Sequence, residues 1–156
     1  MKLAMRIFGL AVFITTFSAT VSLASFAYYH QTTAGRVEQL IMVLDEKYDR
    51  LHPEYTPAVN ELAKLGRPAI RPLLEVMLSD NEFSRLHANM ALLRNIAYLQ
   101  GLRDDHGWVG DERKNRLKFR KFWDRLGNLN HEAPLEERRA AVEKWHIWLD
   151  SGEPPE

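Results

Sequence analysis

The sequence contains no cysteine among its 156 residues. This absence excludes a disulfide framework, a thiolate nucleophile, a cysteine-ligated zinc or iron–sulfur site, and the acylated cysteine that anchors a bacterial lipoprotein. An excess of one charge is also missing, because 21 basic and 21 acidic residues balance to a formal net charge of zero. Overall charge therefore gives no sign of a nucleic-acid binder, and the length fits one compact domain.

Known catalytic patterns are missing too. The six histidines never form a close pair, and the chain has no HExxH, no Gly-x-Ser-x-Gly, no phosphate-binding glycine loop and no dinucleotide fingerprint. Asp104, Asp105 and His106 could bind a cation or transfer protons, but such a triplet on a glycine-flanked loop is more typical of a solvated turn. We therefore predict a protein that is not an enzyme and needs no cofactor or metal ion.

Charged residues are absent from one long stretch near the N-terminus. Residues 7–35 contain no Asp, Glu, Lys or Arg, and Lys2 and Arg6 precede them. The apolar part, residues 8–27, is about 20 residues long, so as a helix it could just cross a ~30 Å hydrocarbon core. We predict that residues 1–27 are a signal peptide or a transmembrane anchor.

The choice between these two alternatives stays open. Small residues such as Ser22 and Ala24 have the spacing that a signal peptidase accepts, whereas Tyr28 and Tyr29 stand where interfacial aromatics flank a membrane helix. Either alternative keeps the basic start in the cytoplasm and exports the rest. We predict a periplasmic or otherwise extracytoplasmic domain, which residues 8–27 could hold in the inner membrane and which a linker at 28–35 joins to that segment.

Beyond the linker the apolar residues recur at helical spacing, and no segment alternates like a strand. Residues 36–150 are predicted to form about five antiparallel helices without a sheet, followed by a disordered tail at 151–156. Pro53 should end the first helix, Thr56 and Pro57 should start the second, and Pro72 should lie in the first turn of the third. Residues 101–110, which include three glycines, are predicted to be a loop.

The helical spacing also predicts which side chains face inward. On the helix from residue 82 to about 99, the inward residues are predicted to be Leu86, Met90, Leu93 and Ala97, with Ala88 and Ala91 allowing a neighbour to approach. On the helix from about 112 to 126, capped by Asp111, they are Leu117, Phe119, Phe122, Trp123 and Leu126. On the last helix, Trp145 and Trp148 are predicted to complete the core.

Three segments within roughly residues 58–97 form a pattern, namely Glu61-Leu-Ala-Lys-Leu-Gly66, Pro68-Ala-Ile-Arg-Pro-Leu-Leu74, and Asp80, Arg85, Ala88, Ala91 and Leu92. This part of the body resembles a HEAT repeat, a member of the armadillo-type helical repeats. It departs from the family at Phe83 and Ser84 and after Leu99. The resemblance implies a short HEAT-like array, in which one clear repeat is covered by degenerate neighbours.

A weaker resemblance concerns residues 139–148, whose tryptophan spacing is similar to the closing helix of exported HEAT-like bacterial proteins. The family implies a scaffold or protein-binding module in the cell envelope. Some of its members are associated with bilin lyase activity, which would make this chain an enzyme accessory, although no residue in the sequence points to that role.

The main charge asymmetry lies at residues 113–125, which hold seven basic residues and one acidic residue. Four of them, Lys114, Lys118, Lys121 and Arg125, fall on one helical stripe and could contact an anionic surface. A membrane-surface assembly factor is therefore the alternative to a protein-binding module, unless the stripe is simply solvated. Nucleic acid is not expected as a partner of an exported domain, and the sequence does not identify a protein partner.

Overall fold

The computed structural model describes residues 32–45 and 56–152. Helices make up 69% of these residues, which confirms the predicted helical class. The predicted signal or anchor segment, the break at Pro53 and the last four residues of the tail lie outside the described residues. Within the described ranges, no helix combines the length and the apolar character needed to cross a membrane.

Six helices and one minimal hairpin form this part of the chain. Their bounds are α1 (Thr33–Met42), α2 (Pro57–Lys64), α3 (Arg67–Val76), α4 (Glu82–Leu99), β1 (Arg103–Asp104), β2 (Gly107–Trp108), α5 (Glu112–Arg125) and α6 (Leu135–Ser151). The described residues fall into two units that divide between Arg36 and Val37, and the core described next belongs to the second. Helix α1 begins inside the predicted linker, because Thr32 Oγ1 accepts the N–H of Gly35 at 3.1 Å and caps it.

Side-chain caps fix the starts of three other helices. Thr56 accepts the N–H of Val59 at 3.1 Å, and Asp111 accepts that of Lys114 at 3.0 Å, as the sequence predicts for α2 and α5. Asn81 caps α4 in the same way. Each cap satisfies a backbone donor that the first helical turn leaves without a partner.

Helix α3 differs from the prediction at its start. It begins at Arg67, because Gly66 turns the chain with a φ of +72° and serves as the N-cap. Pro72 is therefore the sixth helical residue and lies in the second turn, so its predicted place in the first turn is wrong. The cost is one missing hydrogen bond to the carbonyl of Pro68.

Helix α4 is the centre of the core, because α2 and α3 both pack against it and α6 packs against α3. Helices α2 and α3 contact α4 more extensively than they contact each other. The small residues Ala88 and Ala91 are fully buried and allow this close approach.

The residues of α4 that are buried agree only in part with those predicted to face inward. Leu86, Met90 and Leu93 are half-buried, whereas the fully buried positions are His87, Ala88, Ala91, Leu92, Asn95 and Ile96. Asn95 Nδ2 donates to the carbonyls of Leu62 (3.1 Å) and Gly66 (2.9 Å), and His87 Nδ1 bonds the carbonyl of Leu44, whereas Asn95 Oδ1 has no partner among the described residues. The hydrophobic spacing was misleading because Met90 and Leu93 line an open groove beside the core.

The loop at 101–110 contains the one departure from an all-helical body among the described residues. Arg103 pairs with Trp108 and Asp104 with Gly107 in a two-stranded antiparallel hairpin, so the prediction of no sheet is wrong at this point. Leu102 anchors the hairpin: it is buried, and its N–H donates to the carbonyl of Ala97 at 2.9 Å.

Helices α5 and α6 complete the core largely as predicted. Trp123, Leu126 and Trp145 are buried, and Trp148 is half-buried. Leu117, however, is 54% exposed, so its predicted inward position is wrong. It lines the same groove as Met90 and Leu93.

Candidate functional site

A groove with a volume of about 1280 Å³ lies between α4, the hairpin and α5. Its apolar and aromatic lining consists of Met90, Leu93, Ala97, Trp108, Leu117, Phe119, Trp123 and Leu129. Its polar lining consists of Asn89, Arg94, Arg103, Glu112, Arg113, Arg116, Arg120, Asp124, Asn128 and Asn130. Five arginines thus face two carboxylates, which makes the groove a positively charged site.

Three of the arginines come from α5, where Arg113, Arg116 and Arg120 follow a three-four spacing that places them on one helical stripe. The hairpin contributes Arg103 and α4 contributes Arg94. Arginine differs from lysine at such a site because its planar guanidinium can bind both oxygens of a carboxylate or phosphate. The groove therefore presents several guanidinium groups that could bind an anion.

The groove arginines differ in whether their guanidinium groups already have partners within the protein. Arg116 Nε lies 2.7 Å from Glu112 Oε1, and its guanidinium is 5.1 Å from the centre of the Trp108 ring. Arg94 donates to the Asn60 side chain. Arg113 and Arg120 form no ion pair with any residue that the structure describes. Their charges remain accessible to a ligand in the groove.

Two polar atoms among the lining residues are buried and lack a hydrogen-bond partner in the described part of the chain. They are Asn89 Oδ1, an acceptor, and Arg103 Nε, a donor. Buried polar groups are nearly always paired in folded proteins, so these two groups of the groove are free to bond to a water molecule or to a ligand.

An aromatic chain connects the groove to the core. The ring centres of Trp108 and Phe119 are 6.0 Å apart, those of Phe119 and Trp123 are 5.6 Å apart, and those of Trp123 and Trp145 are 4.9 Å apart. The chain continues through Trp148. Because aromatic pairs at these separations stabilise each other, they pack the α5 wall of the groove against the core.

The four predicted surface contacts lie outside the groove. Lys114, Lys118, Lys121 and Arg125 are all exposed, and none forms an ion pair within the described ranges. At about 100° per residue, their mean direction differs from that of the three groove arginines by about 140°. Helix α5 therefore has an arginine flank and a lysine flank.

The carboxylates of the hairpin are used structurally. Asp104 accepts the N–H of His106 at 2.8 Å, and Asp105 lies 2.7 Å from Lys64 Nζ and accepts from the Tyr98 hydroxyl at 3.3 Å. The ion pair raises the pKa of Lys64 and, with the Tyr98 contact, lowers the pKa of Asp105. These contacts fit the solvated turn expected from the sequence. Among the described residues, no group of three or more acidic or histidine side chains is arranged to hold a metal ion.

The groove itself was not predicted from the sequence. The spacing of Arg113, Arg116 and Arg120 was a usable signal, but the sequence interpretation assigned the basic character of this helix to the lysine stripe. Arg94 and Arg103 carry no local signal, because only the packing of α4 and the hairpin brings them to the same groove.

Comparison with known proteins adds no relative that could assign a function. No family model matches the chain, and no curated protein or solved structure is similar to it.

Proposed function

We propose that this chain is a non-catalytic, HEAT-like helical scaffold of the cell envelope that binds an acidic segment of a protein partner in the groove between α4 and α5. The observation that carries the proposal is the set of five arginines in one groove that holds only two carboxylates. Export of the domain, with or without a membrane anchor, is proposed from the uncharged N-terminal stretch alone.

The size and lining of the groove favour a protein segment over a small molecule. Ligand pockets usually measure about 300 to 1,000 Å³, and this groove, at about 1280 Å³, exceeds that range. Apolar side chains such as Met90, Leu93 and Leu117 line it together with the arginines. A segment that carries both carboxylates and apolar side chains can satisfy both kinds of surface.

The chemistry of the lining favours binding over catalysis. The lining residues include no serine, threonine, tyrosine, histidine or lysine, so the usual nucleophiles and most general bases are missing from this groove. One of its two carboxylates, Glu112, is already paired with Arg116. Charged and aromatic side chains that position a ligand, without a group to react with it, support a binding module.

A charge-matched pair of variants tests the proposal. The full chain in neutral detergent is titrated into a labelled peptide of about ten residues that alternates Glu and Leu, and anisotropy reports binding; extended, this peptide spans ~33 Å. The double variant R113Q/R120Q should bind about tenfold more weakly, because each guanidinium contributes a charge-assisted hydrogen bond. The double variant K118Q/K121Q removes the same charge from the other flank of the same helix and should change the affinity less than twofold.

Comparing the two double variants distinguishes binding in the groove from general electrostatic attraction to the protein. Equal losses in the two double variants would contradict the proposal, because they would show that the peptide follows net charge only. The same contradiction would come from a peptide with Gln in place of Glu binding as tightly as the acidic one.

A second candidate function uses the other flank of α5. The exposed stripe of Lys114, Lys118, Lys121 and Arg125 has no partner within the described residues and could hold the domain against an anionic membrane surface. This would suit an assembly factor tethered beside the membrane, since tethering raises its effective concentration. The two flanks are separate, so both contacts could be made at once.

A further inference from the structure

We propose that Asn89 and Arg103 form a subsite that binds the main chain of an extended acidic segment, with Asn89 accepting a peptide N–H and Arg103 donating to a carbonyl or carboxylate oxygen. This inference depends on the proposed function, because it assigns a role to two residues of the same groove. It adds that the groove recognises backbone as well as charge.

The first support is the burial of Asn89 and the missing hydrogen-bond partner of its side-chain oxygen. This residue lies on α4, is only 9% exposed, and its Oδ1 is buried without a hydrogen-bond partner among the described residues. A buried acceptor without a partner destabilises the free protein. Because Asn89 also lines the groove, a small rotation of its amide would offer the oxygen to a ligand.

The second support is Arg103, which has an unpartnered donor where Asn89 has an unpartnered acceptor. Its Nε is a buried donor that also lacks a partner in the described part of the chain. The side chain starts from β1, whose position is fixed by the burial of Leu102 and by the hydrogen bond from Val109 N–H to the Leu102 carbonyl at 3.1 Å. The donor is therefore presented by an ordered element rather than by a free loop.

The two orphaned groups restrict the chemistry of the ligand. One is an acceptor and the other a donor, and they do not bond to each other. A peptide unit offers both an N–H and a carbonyl, so an extended peptide satisfies both groups. Inorganic phosphate at high pH, or a phosphodiester backbone, offers acceptors only and would leave Asn89 Oδ1 without a bond. An acidic peptide fits the subsite and the arginines together.

The subsite is tested by removing the acceptor without changing the shape of the side chain. In the full chain, N89L should raise Tm by about 3 °C, because an unsatisfied buried acceptor is lost, and should weaken binding of the labelled Glu-Leu peptide about fivefold, the loss expected for one hydrogen bond. An increase in stability together with a decrease in affinity is a result that a purely structural role for Asn89 does not give.

The matched control is Asn95 on the same helix, whose Oδ1 is also buried without a partner among the described residues but whose Nδ2 donates to two carbonyls. N95L should lower Tm, because it removes the donor that bonds the carbonyls of Leu62 and Gly66. A lower Tm for N89L as well would overturn the subsite, since it would show that Asn89 stabilises the free protein.

Backbone recognition is tested on the ligand side by N-methylating the peptide one position at a time. One methylated position should weaken binding to the unaltered chain about fivefold and have no further effect on binding to N89L, because the same hydrogen bond is already lost. The conservative variant R103K, which keeps the charge but loses the Nε donor, should also bind more weakly.

The outcomes separate this inference from the proposed function. No binding of the acidic peptide by the unaltered chain would overturn the proposed function and the subsite with it. Binding that R113Q/R120Q weakens, but that N89L and every methylated peptide leave unchanged, would overturn the subsite alone. Displacement of the peptide by inorganic phosphate that depends on Asn89 would also overturn it, because the site would then be an anion site rather than a backbone site.

Discussion

At the scale of single residues, Trp145 shows how the core and the groove are connected. It is fully buried, and its ring packs edge to face against Trp123 and against Trp148. Its indole N–H is buried without a partner in the described residues, so the contribution of this side chain is its apolar surface and its ring contacts rather than a hydrogen bond.

Replacing Trp145 should therefore destabilise the protein strongly when the ring is removed and much less when another ring takes its place. W145A should lower the free energy of unfolding by about 3 to 5 kcal/mol, measured by denaturant titration, because it leaves a large cavity between α5 and α6. W145F keeps a ring and removes the unpaired N–H, so it should lose much less. A loss below about 1 kcal/mol for W145A would mean that the tryptophan does not stabilise the core.

Single residues also show which features of the structure the sequence could predict and which it could not. The caps at Thr56 and Asp111 were predictable, because the side chain and the backbone donor that it bonds are three residues apart. Leu117 was predicted inward from its spacing but is exposed, because it lines a groove rather than the core. The orphaned atoms of Asn89 and Arg103 could not be predicted, since pairing depends on neighbours distant in sequence.

At the scale of elements, α5 combines two kinds of basic surface. Its arginine flank lines a groove, and its lysine flank faces solvent. This division follows the chemistry of the two side chains, because a guanidinium binds carboxylates in a fixed geometry whereas an ammonium is a strongly hydrated point charge. The sequence identified the helix and its lysine stripe but not the groove, which also requires α4 and the hairpin.

The lysine flank gives a test of membrane contact. For a chain that starts at residue 32, first checked for helical circular dichroism, replacing Lys114, Lys118, Lys121 and Arg125 by glutamine should abolish co-sedimentation with phosphatidylglycerol vesicles. Each basic residue contributes about 1 kcal/mol at an anionic surface, so the four together give marginal binding that high salt removes.

The matched control is R113Q/R120Q, which should keep most of the vesicle binding because it leaves the lysine flank intact. Membrane contact would be contradicted if the chain sedimented equally with phosphatidylcholine vesicles, or if the four-residue variant bound as well as the unaltered chain. The stripe would then be only a solvated face.

At the scale of the whole molecule, the helical class of the described residues follows from the sequence, because the apolar spacing and the breaks at Pro and Gly are local signals. The arrangement of the helices does not. The central position of α4, with α2 and α3 both packed on it, depends on contacts between distant residues. The groove could not be predicted for the same reason, because α4, the hairpin and α5 form it together. The HEAT resemblance stays a prediction.

The most direct test of the account is to observe the groove arginines while an acidic peptide binds. In the ¹⁵N-labelled full chain, the Nε–Hε signals of Arg103, Arg113 and Arg120 should shift on titration with the Glu-Leu peptide, because their guanidinium groups form new charge-assisted bonds. The signal of Arg139, which is paired with Glu136 on α6, should not move. Shifts at Arg125 and Arg139 equal to those of the groove arginines, or no shift at Arg103 and Arg113 at peptide saturation, would contradict the account.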